Sequence, residues 1–349
     1  MKRTQRIIEG KLASLGIVVL VLSAIPGRFP VRARITPRTV RGNQSMWTRV
    51  DFVGYYSFEG DVLEDKDLSG IAFVSPTRGL IGADEGGLVQ VVELSRSDRR
   101  LKVLRTVALG HADEELDIEA IACEGASYYI VGSHGAAKKS GLRQAGRYRI
   151  FRLHVNPLTG TPVAGGRALT VTSLSGILAD DPTLGRYLGK PLQEKGVNIE
   201  GLAVRNGRLF VGLRNPNLDG FAFVVEVPAG DLFTGVKQPP YKLHRLNLGQ
   251  GLGIREIVAA ESGFLVIAGN AGSEPSDKHP HAADYEKGRA FWIFNWDGQS
   301  PHVHKIGQIP NAPGKAEAMT ILEESAEALM VLILFDGAPR GRPSLYRIH

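Results

Sequence analysis

Residues Asn198 to Pro216 read NIEGLAVRNGRLFVGLRNP, two apolar runs joined by a short turn. The opening string, Asn198-Ile199-Glu200-Gly201-Leu202-Ala203, is echoed four times: in Asp67-Leu68-Ser69-Gly70-Ile71-Ala72, Asp117-Ile118-Glu119-Ala120-Ile121-Ala122, Gly253-Ile254-Arg255-Glu256-Ile257-Val258 and Lys315-Ala316-Glu317-Ala318-Met319-Thr320. Self-similarity of this kind marks a fold assembled from one supersecondary unit. After every copy comes a second apolar strand: GLIGAD ending at Asp84, YYIVGSH at His134, RLFVGLR at Arg214, FLVIAGN at Asn270 and VLILFD at Asp336. A third strand begins near Leu88, Tyr148, Phe221, Ala290 and Ser344, and a fourth near Lys102, Arg167, Tyr241 and His302.

Four antiparallel strands repeated around a ring are a propeller blade. The last copy stops at His349 without its fourth strand, and Val50 to Phe58 (VDFVGYYSF) precedes the first copy without a partner. Pairing the two closes the ring and removes an unpaired edge. The expectation is an all-β, five-bladed β-propeller over residues 46–349, with blades at about 67–110, 117–175, 198–249, 253–310, and 315–349 plus 50–58. The alternatives are six blades, with one hidden between Ser173 and Asn198, or an open sandwich. Asp180-Asp181-Pro182 in that interval opens a helix on this reading and makes it an insertion.

The first strand of a blade lines the channel and the second returns beside it. The third position of strand one and the last of strand two therefore share a rim. Around the ring these pairs are Ser69 with Asp84, Glu119 with His134, Glu200 with Arg214, Arg255 with Asn270, and Glu317 with Asp336. The long connections, 134–147, 176–197 and 270–288, open on the same rim, where binding sites usually sit. They bring Lys138, Lys139, Arg143 and Arg147 to one side and His279, His281 and Asp284 to another. Two carboxylates ~8 Å apart repel by ~2 kcal/mol at an effective dielectric of 20. The crowding of Glu119, Glu200, Glu317 and Asp336 thus calls for ion pairs with Arg214 and Arg255, raised carboxyl pKa values, or a bound divalent cation such as calcium. The plain alternative is a wet channel whose polar groups pair with each other and with water.

Composition agrees with the strands. Forty-two glycines against 7% aromatic residues in 349 suggest many tight turns. The single cysteine, Cys123, excludes an intramolecular disulfide and a cysteine-based zinc cluster. The net charge of +6 is carried by residues 1–49, which hold ten Lys/Arg against Glu9 alone. The remainder is slightly acidic, which argues against nucleic-acid binding. Lys2, Arg3, Arg6 and Lys11 precede an apolar run from Leu12 to Ile25, the pattern of a secretory signal ending near residue 33. That reading implies a periplasmic or secreted protein without stable membrane insertion, whereas a start at Met46 implies a cytoplasmic one. No G-x-S-x-G, phosphate loop, dinucleotide fingerprint, H-E-x-x-H or C-x-x-C is present.

Ser133-His134-Gly135, Arg149-Ile150-Phe151-Arg152, the Asn198–Pro216 segment, Gly253-Ile254-Arg255-Glu256 and Lys315-Ala316-Glu317 resemble a bacterial family, domain of unknown function 3616. The resemblance covers blades two to five and implies a propeller. More distantly, N-I-E-G-L-A is similar to the E-G-L motif of esterase-like and phytase-like propellers, which implies ester or phosphoester hydrolysis. On that basis the expected site is a metal-assisted hydrolase of a small anionic or ester substrate. Glu119, Glu200, Glu317 and Asp336 would be cation ligands, with a general base among the three glutamates. Arg214 and Arg255 would clamp an anion and His134 serve as acid or base, while Asp84, Lys138, Arg147, Asn270 and His281 contact substrate. The competing expectation is a non-catalytic module that binds a protein or sugar ligand at the same rim.

Overall fold

The computed structural model describes residues 47–110, 114–137, 142–166 and 168–349. The signal-like segment, the start at Met46, and Lys138 and Lys139 lie outside the described residues.

Alternating apolar positions drive each repeat into a four-stranded antiparallel sheet with one strand on the channel. From the channel outward, blade two is Ile118–Glu124, Ser127–Gly132, Ile150–His154 and Leu169–Thr172. Blade three is Asn198–Arg205, Arg208–Leu218, Phe221–Pro228 and Lys242–Asn247. Blade four is Leu252–Ala260, Gly263–Asn270, Trp292–Trp296 and His304–Gln308. The hairpin of blade three turns on Asn206 (φ 52°) and Gly207 (φ 68°), the left-handed pair that a two-residue turn requires.

The ring closes as the repeat arithmetic requires. Blade five comprises Lys315–Glu324, Leu329–Asp336 and Ser344–Ile348, and its outer strand is Val50–Tyr55, paired antiparallel from Val50 opposite Ile348 to Tyr55 opposite Ser344. One detail differs from expectation. The donated segment splits after Tyr55, and Ser57–Glu59 crosses to blade one, where it runs parallel to the outer strand Arg100–Ala108 as a fifth strand. The rest of blade one is Leu68–Phe73, Arg78–Ala83 and Leu88–Ser95. The amino-terminal segment therefore clasps both sides of the junction between the last blade and the first.

Apolar side chains collect between blades. One buried cluster fills each of the five junctions, including Leu68, Ile71 and Ile81 of blade one against Leu332, Leu334 and Leu345 of blade five. A core at every junction, the closing one included, makes this a ring of five and rules out the open sandwich. The 173–197 interval holds no strand. It forms a short helix, Ser175–Asp180, and two single-turn 3-10 helices, which excludes a sixth blade. Asp181 ends that helix where the sequence suggested an opening; its Oδ1 accepts hydrogen bonds from the Thr183 and Leu184 amides and starts the next turn. Among the described residues no helix is long and apolar enough to cross a membrane.

Candidate functional site

In all five blades the innermost strand pair slips register at the third position of the repeat. The breaks fall between Leu68 and Gly70, Ile118 and Ala120, Ile199 and Gly201, Ile254 and Glu256, and Ala316 and Ala318. A bulge interrupts strict alternation and re-aims one side chain. The residues so displaced are Ser69, Glu119, Glu200, Arg255 and Glu317, the ring singled out by the repeat. Beyond the bulge the chain packs on the next blade and has little room. A β-carbon on Gly70 would lie 2.6 Å from Ile121 Cγ1. Blade four instead carries Glu256 at that place, fully buried. Its Oε1 accepts from the Ile257 amide (2.8 Å) and from the Leu202 amide of blade three (3.2 Å). Burial holds this carboxyl well above the usual carboxylate range.

Three of the ring residues, Glu119, Glu200 and Glu317, open into a cavity of about 330 Å³ at the channel mouth. Eight carboxyl groups line it, Asp84, Glu85, Glu115, Asp117, Glu119, Glu200, Glu317 and Asp336, against Arg147, Arg214 and Lys315. The structure thus brings together Asp84, Glu119, Arg147, Glu200, Arg214, Glu317 and Asp336 from the sequence-derived set. Arg255 lies directly behind them, 2% exposed, with Nε 2.8 Å from Glu200 Oε2 and Nη2 against Glu317 Oε1. Arg214 holds the other oxygen of Glu200 at 2.7 Å. A chain of alternating charge, Arg214–Glu200–Arg255–Glu317, links blades three, four and five.

The expected anion clamps and most of the expected cation ligands are engaged with protein partners. Arg214 and Arg147 each commit all three guanidinium nitrogens to protein acceptors, through three of their five N–H groups. Arg214 gives Nη2 to the Gly272 carbonyl (2.8 Å) and Nε to that of Ala271 (3.1 Å), and Arg147 is divided among Asp117 (2.7 Å), Gln144 (2.7 Å) and Glu115. Three of the four expected cation ligands are likewise paired within the protein. Glu200 and Glu317 face guanidinium groups and Asp336 faces Lys315, and among the described residues no three His, Cys, Asp or Glu side chains are arranged to hold a metal ion. Arg255 supplies internally the positive charge that the crowded carboxylates demand.

Three further residues of the expected set lie outside the cavity lining. His134 is fully buried and outside the cavity. Its Nδ1 lies 3.0 Å from the Gly132 carbonyl and its Nε2 accepts the Leu174 amide at 3.1 Å, which ties the 173–197 insertion down. Burial, helped by the Arg143 charge, pushes the imidazole down to about 4, so it stays neutral where an acid–base group would have to cycle. Asn270 braces its own loop through both amide atoms to Glu286 (2.8 and 3.0 Å). His281 is exposed in that loop. The two long insertions meet each other, with Lys195 Nζ 2.6 Å from Asp284 and the Ala283 amide donating to Gln193 O at 3.0 Å. Neither insertion lines the cavity.

The cavity also uses Asn198, Lys315 and Asp117, which were not among the expected site residues. All three occupy the first position of the repeat, two residues before the ring, so the same alternation points to them. In blade four that position is Gly253, where a β-carbon would strike the Arg214 carbonyl at 1.8 Å. Only glycine lets the Arg214 backbone pass.

Burial, reinforced by the charges of Asp117, Asp336, Asp67 and Glu85, raises Asp84 to about 7. Burial and the Glu200 charge also raise Glu119. A carboxyl raised in the folded state stabilises below its unfolded value and costs stability as pH rises through the folded value. Asp84→Asn is accordingly expected to stabilise the protein by about 2–4 kcal/mol at pH 8 and hardly at all at pH 4. Thermal melts of both proteins at the two pH values check this, and equal melting temperatures at pH 8 would remove Asp84 as a strained group. Stability sacrificed at a cleft carboxyl is a mark of a functional site.

Among solved structures the fold is similar to YCF48 bound to D1 peptide, at 12% identity and a TM-score of 0.33, over 83% of this chain and 63% of that one, just under two thirds of its length. It is similar to a luciferin-regenerating enzyme at 9% identity and a TM-score of 0.36, over 86% and 94% of the two chains. A structural genomics protein of unknown function from Bacteroides thetaiotaomicron is similar at 12% identity and a TM-score of 0.38, over 86% and 76%. No curated protein matches. The family model described as Protein of unknown function (DUF3616) matches residues 166–345, just over half of the chain, and the protein belongs to that family.

Proposed function

We propose that the protein is a binding module whose channel-mouth cavity receives a positively charged, hydrogen-bond-donating group, an ammonium or guanidinium, of an organic ligand. The supporting observation is an imbalance of donors and acceptors. Arg214 and Arg147 are paired with Glu200 and Asp117, whereas Asn198 Oδ1 and Asp84 Oδ1, both buried, accept no hydrogen bond from the protein. Asn198 is 6% exposed and lines the cavity. A buried acceptor left unpaired costs about 1–3 kcal/mol, which a donor on a ligand recovers. The excess of carboxyl groups selects a cationic donor over a neutral one.

Calorimetric titration with guanidinium chloride, inorganic phosphate and calcium chloride at matched ionic strength tests the reading. Guanidinium is expected to bind and phosphate not to, with the affinity for guanidinium falling at least tenfold in Asp84→Asn/Glu119→Gln, the scale of a charge-assisted hydrogen bond. Preferential binding of phosphate would refute it, and binding of calcium alone would restore the cation-ligand role of the carboxylates.

Hydrolysis is the second reading. It draws on Glu119, held up as an acid beside Glu200, which two guanidinium groups flank, a pairing of unlike carboxyl environments suited to acid–base work. Turnover of a chromogenic ester or phosphoester, lost in Glu119→Gln, would replace binding by catalysis.

A further inference from the structure

Blade one carries an apolar slot beside the acidic cavity. Its floor is Leu68 and Ile81, each 1% exposed, and its rim is Leu63 and Leu88, which are 38% and 37% exposed. The slot holds about 160 Å³. For scale, an aliphatic cavity of about 150 Å³ accommodates benzene. Glu85 lines both the slot and the acidic cavity, and the chain passes from Ala83 in one to Asp84 in the other.

Hydrogen bonds pin both walls of the slot. Gln90, 5% exposed, accepts the Leu63 amide on Oε1 at 3.0 Å and donates Nε2 to the Asp61 carbonyl at 3.0 Å, which pins the loop carrying one wall. The opposite wall is pinned by the Leu109 amide on Gly87 O (3.0 Å) and the Leu116 amide on Gly86 O (3.1 Å). A preformed apolar recess beside convergent polar groups is the usual build of a small-molecule site.

We infer that the ligand of the proposed binding site is an amphipathic organic cation. Its ammonium or guanidinium sits among Asp84, Glu119 and Asn198, and its aliphatic or aromatic part fills the slot under Leu63 and Leu88. This rests on the cation-binding reading and adds the second half of the ligand. The carboxyl groups concentrated in the acidic cavity favour the charged end there, whereas the slot offers Leu63, Leu68, Ile81 and Leu88 to the apolar end, with Glu64 and Glu85 as its two charged lining residues.

The test is a chain-length series, methylamine through octylamine, titrated calorimetrically into the whole protein at pH 8. Affinity is expected to rise about fourfold per methylene, the increment for burying one such group, until the slot is full. In Leu88→Ser, an exposed position whose substitution leaves the core intact, the affinities of long and short amines are expected to converge, with thermal melting confirming the fold. Equal affinity for all lengths in the parent protein would overturn the slot and leave the cation site standing. Failure of every amine, guanidinium included, would overturn both.

Discussion

Arg255→Met is expected to destabilise the protein by about 3–5 kcal/mol, the cost of leaving buried charges without their partner. Arg255 is 2% exposed and stands between Glu200 of blade three and Glu317 of blade five, themselves 3% and 7% exposed. Methionine fills a similar volume but withdraws the positive charge, and the two carboxylates then repel across a low-dielectric channel with only Arg214 to offset Glu200. For a domain of this size the melting temperature should drop by roughly 6–15 °C. Burial and the nearby Arg214 charge lower the Arg255 guanidinium to about 10, which still leaves it charged at neutral pH. Arg255→Lys should recover little, since one ammonium cannot reproduce a planar fork that spans two carboxylates. Arg255→Met combined with Glu200→Gln and Glu317→Gln should regain most of the loss, because no buried charge is then left unpaired. Denaturant melts of the single and triple variants decide the matter. A single variant as stable as the parent would show that the alternating charges carry no structural load.

The second large effect is a pH dependence of ligand affinity with a defined sign. A cation in the cavity favours ionised carboxylates. Asp84, raised to about 7, carries a proton below that pH and must release it when the cation enters. Apparent affinity for guanidinium is therefore expected to fall by up to tenfold per pH unit as pH drops below about 7, and to flatten above it. Glu119, also raised, adds to the same trend. Calorimetry at pH 6 in buffers of different ionisation enthalpy should register close to one proton released per ligand bound. Asp84→Asn should flatten the profile between pH 6 and 7. Affinity that increases on acidification would mean that the bound group is anionic, and the cation reading would fail.

These expectations differ from those drawn at the outset from the same residues. Glu119, Glu200, Arg214, Arg255 and Glu317 were legible as a ring because each blade repeats one local pattern, and side-chain direction within a strand follows from position in that pattern. Asn198, Asp117 and Lys315 were within reach of the same reasoning, two positions earlier. The bulge at every third position was not, since a register slip depends on the partner strand and on how closely the next blade packs. His134 shows the limit most clearly. Its place in the repeat matches that of Arg214, yet the 173–197 insertion folds over it and makes it a neutral anchor for the Leu174 amide.

The sequence by itself determined the number of blades, the strand that closes the ring and the polar identity of the channel mouth, because all three are properties of periodicity along the chain. Tertiary structure alone decided what those polar groups do. Whether Arg255 clamps a ligand or neutralises Glu200 and Glu317 depends on distances across three blades, and Coulomb energy at a few ångströms in a buried site exceeds anything a local pattern encodes. That geometry pairs the arginines with Glu200, Glu317 and Asp117 and leaves buried acceptors of Asp84 and Asn198 unmet, the two observations on which the proposed cation-binding reading rests.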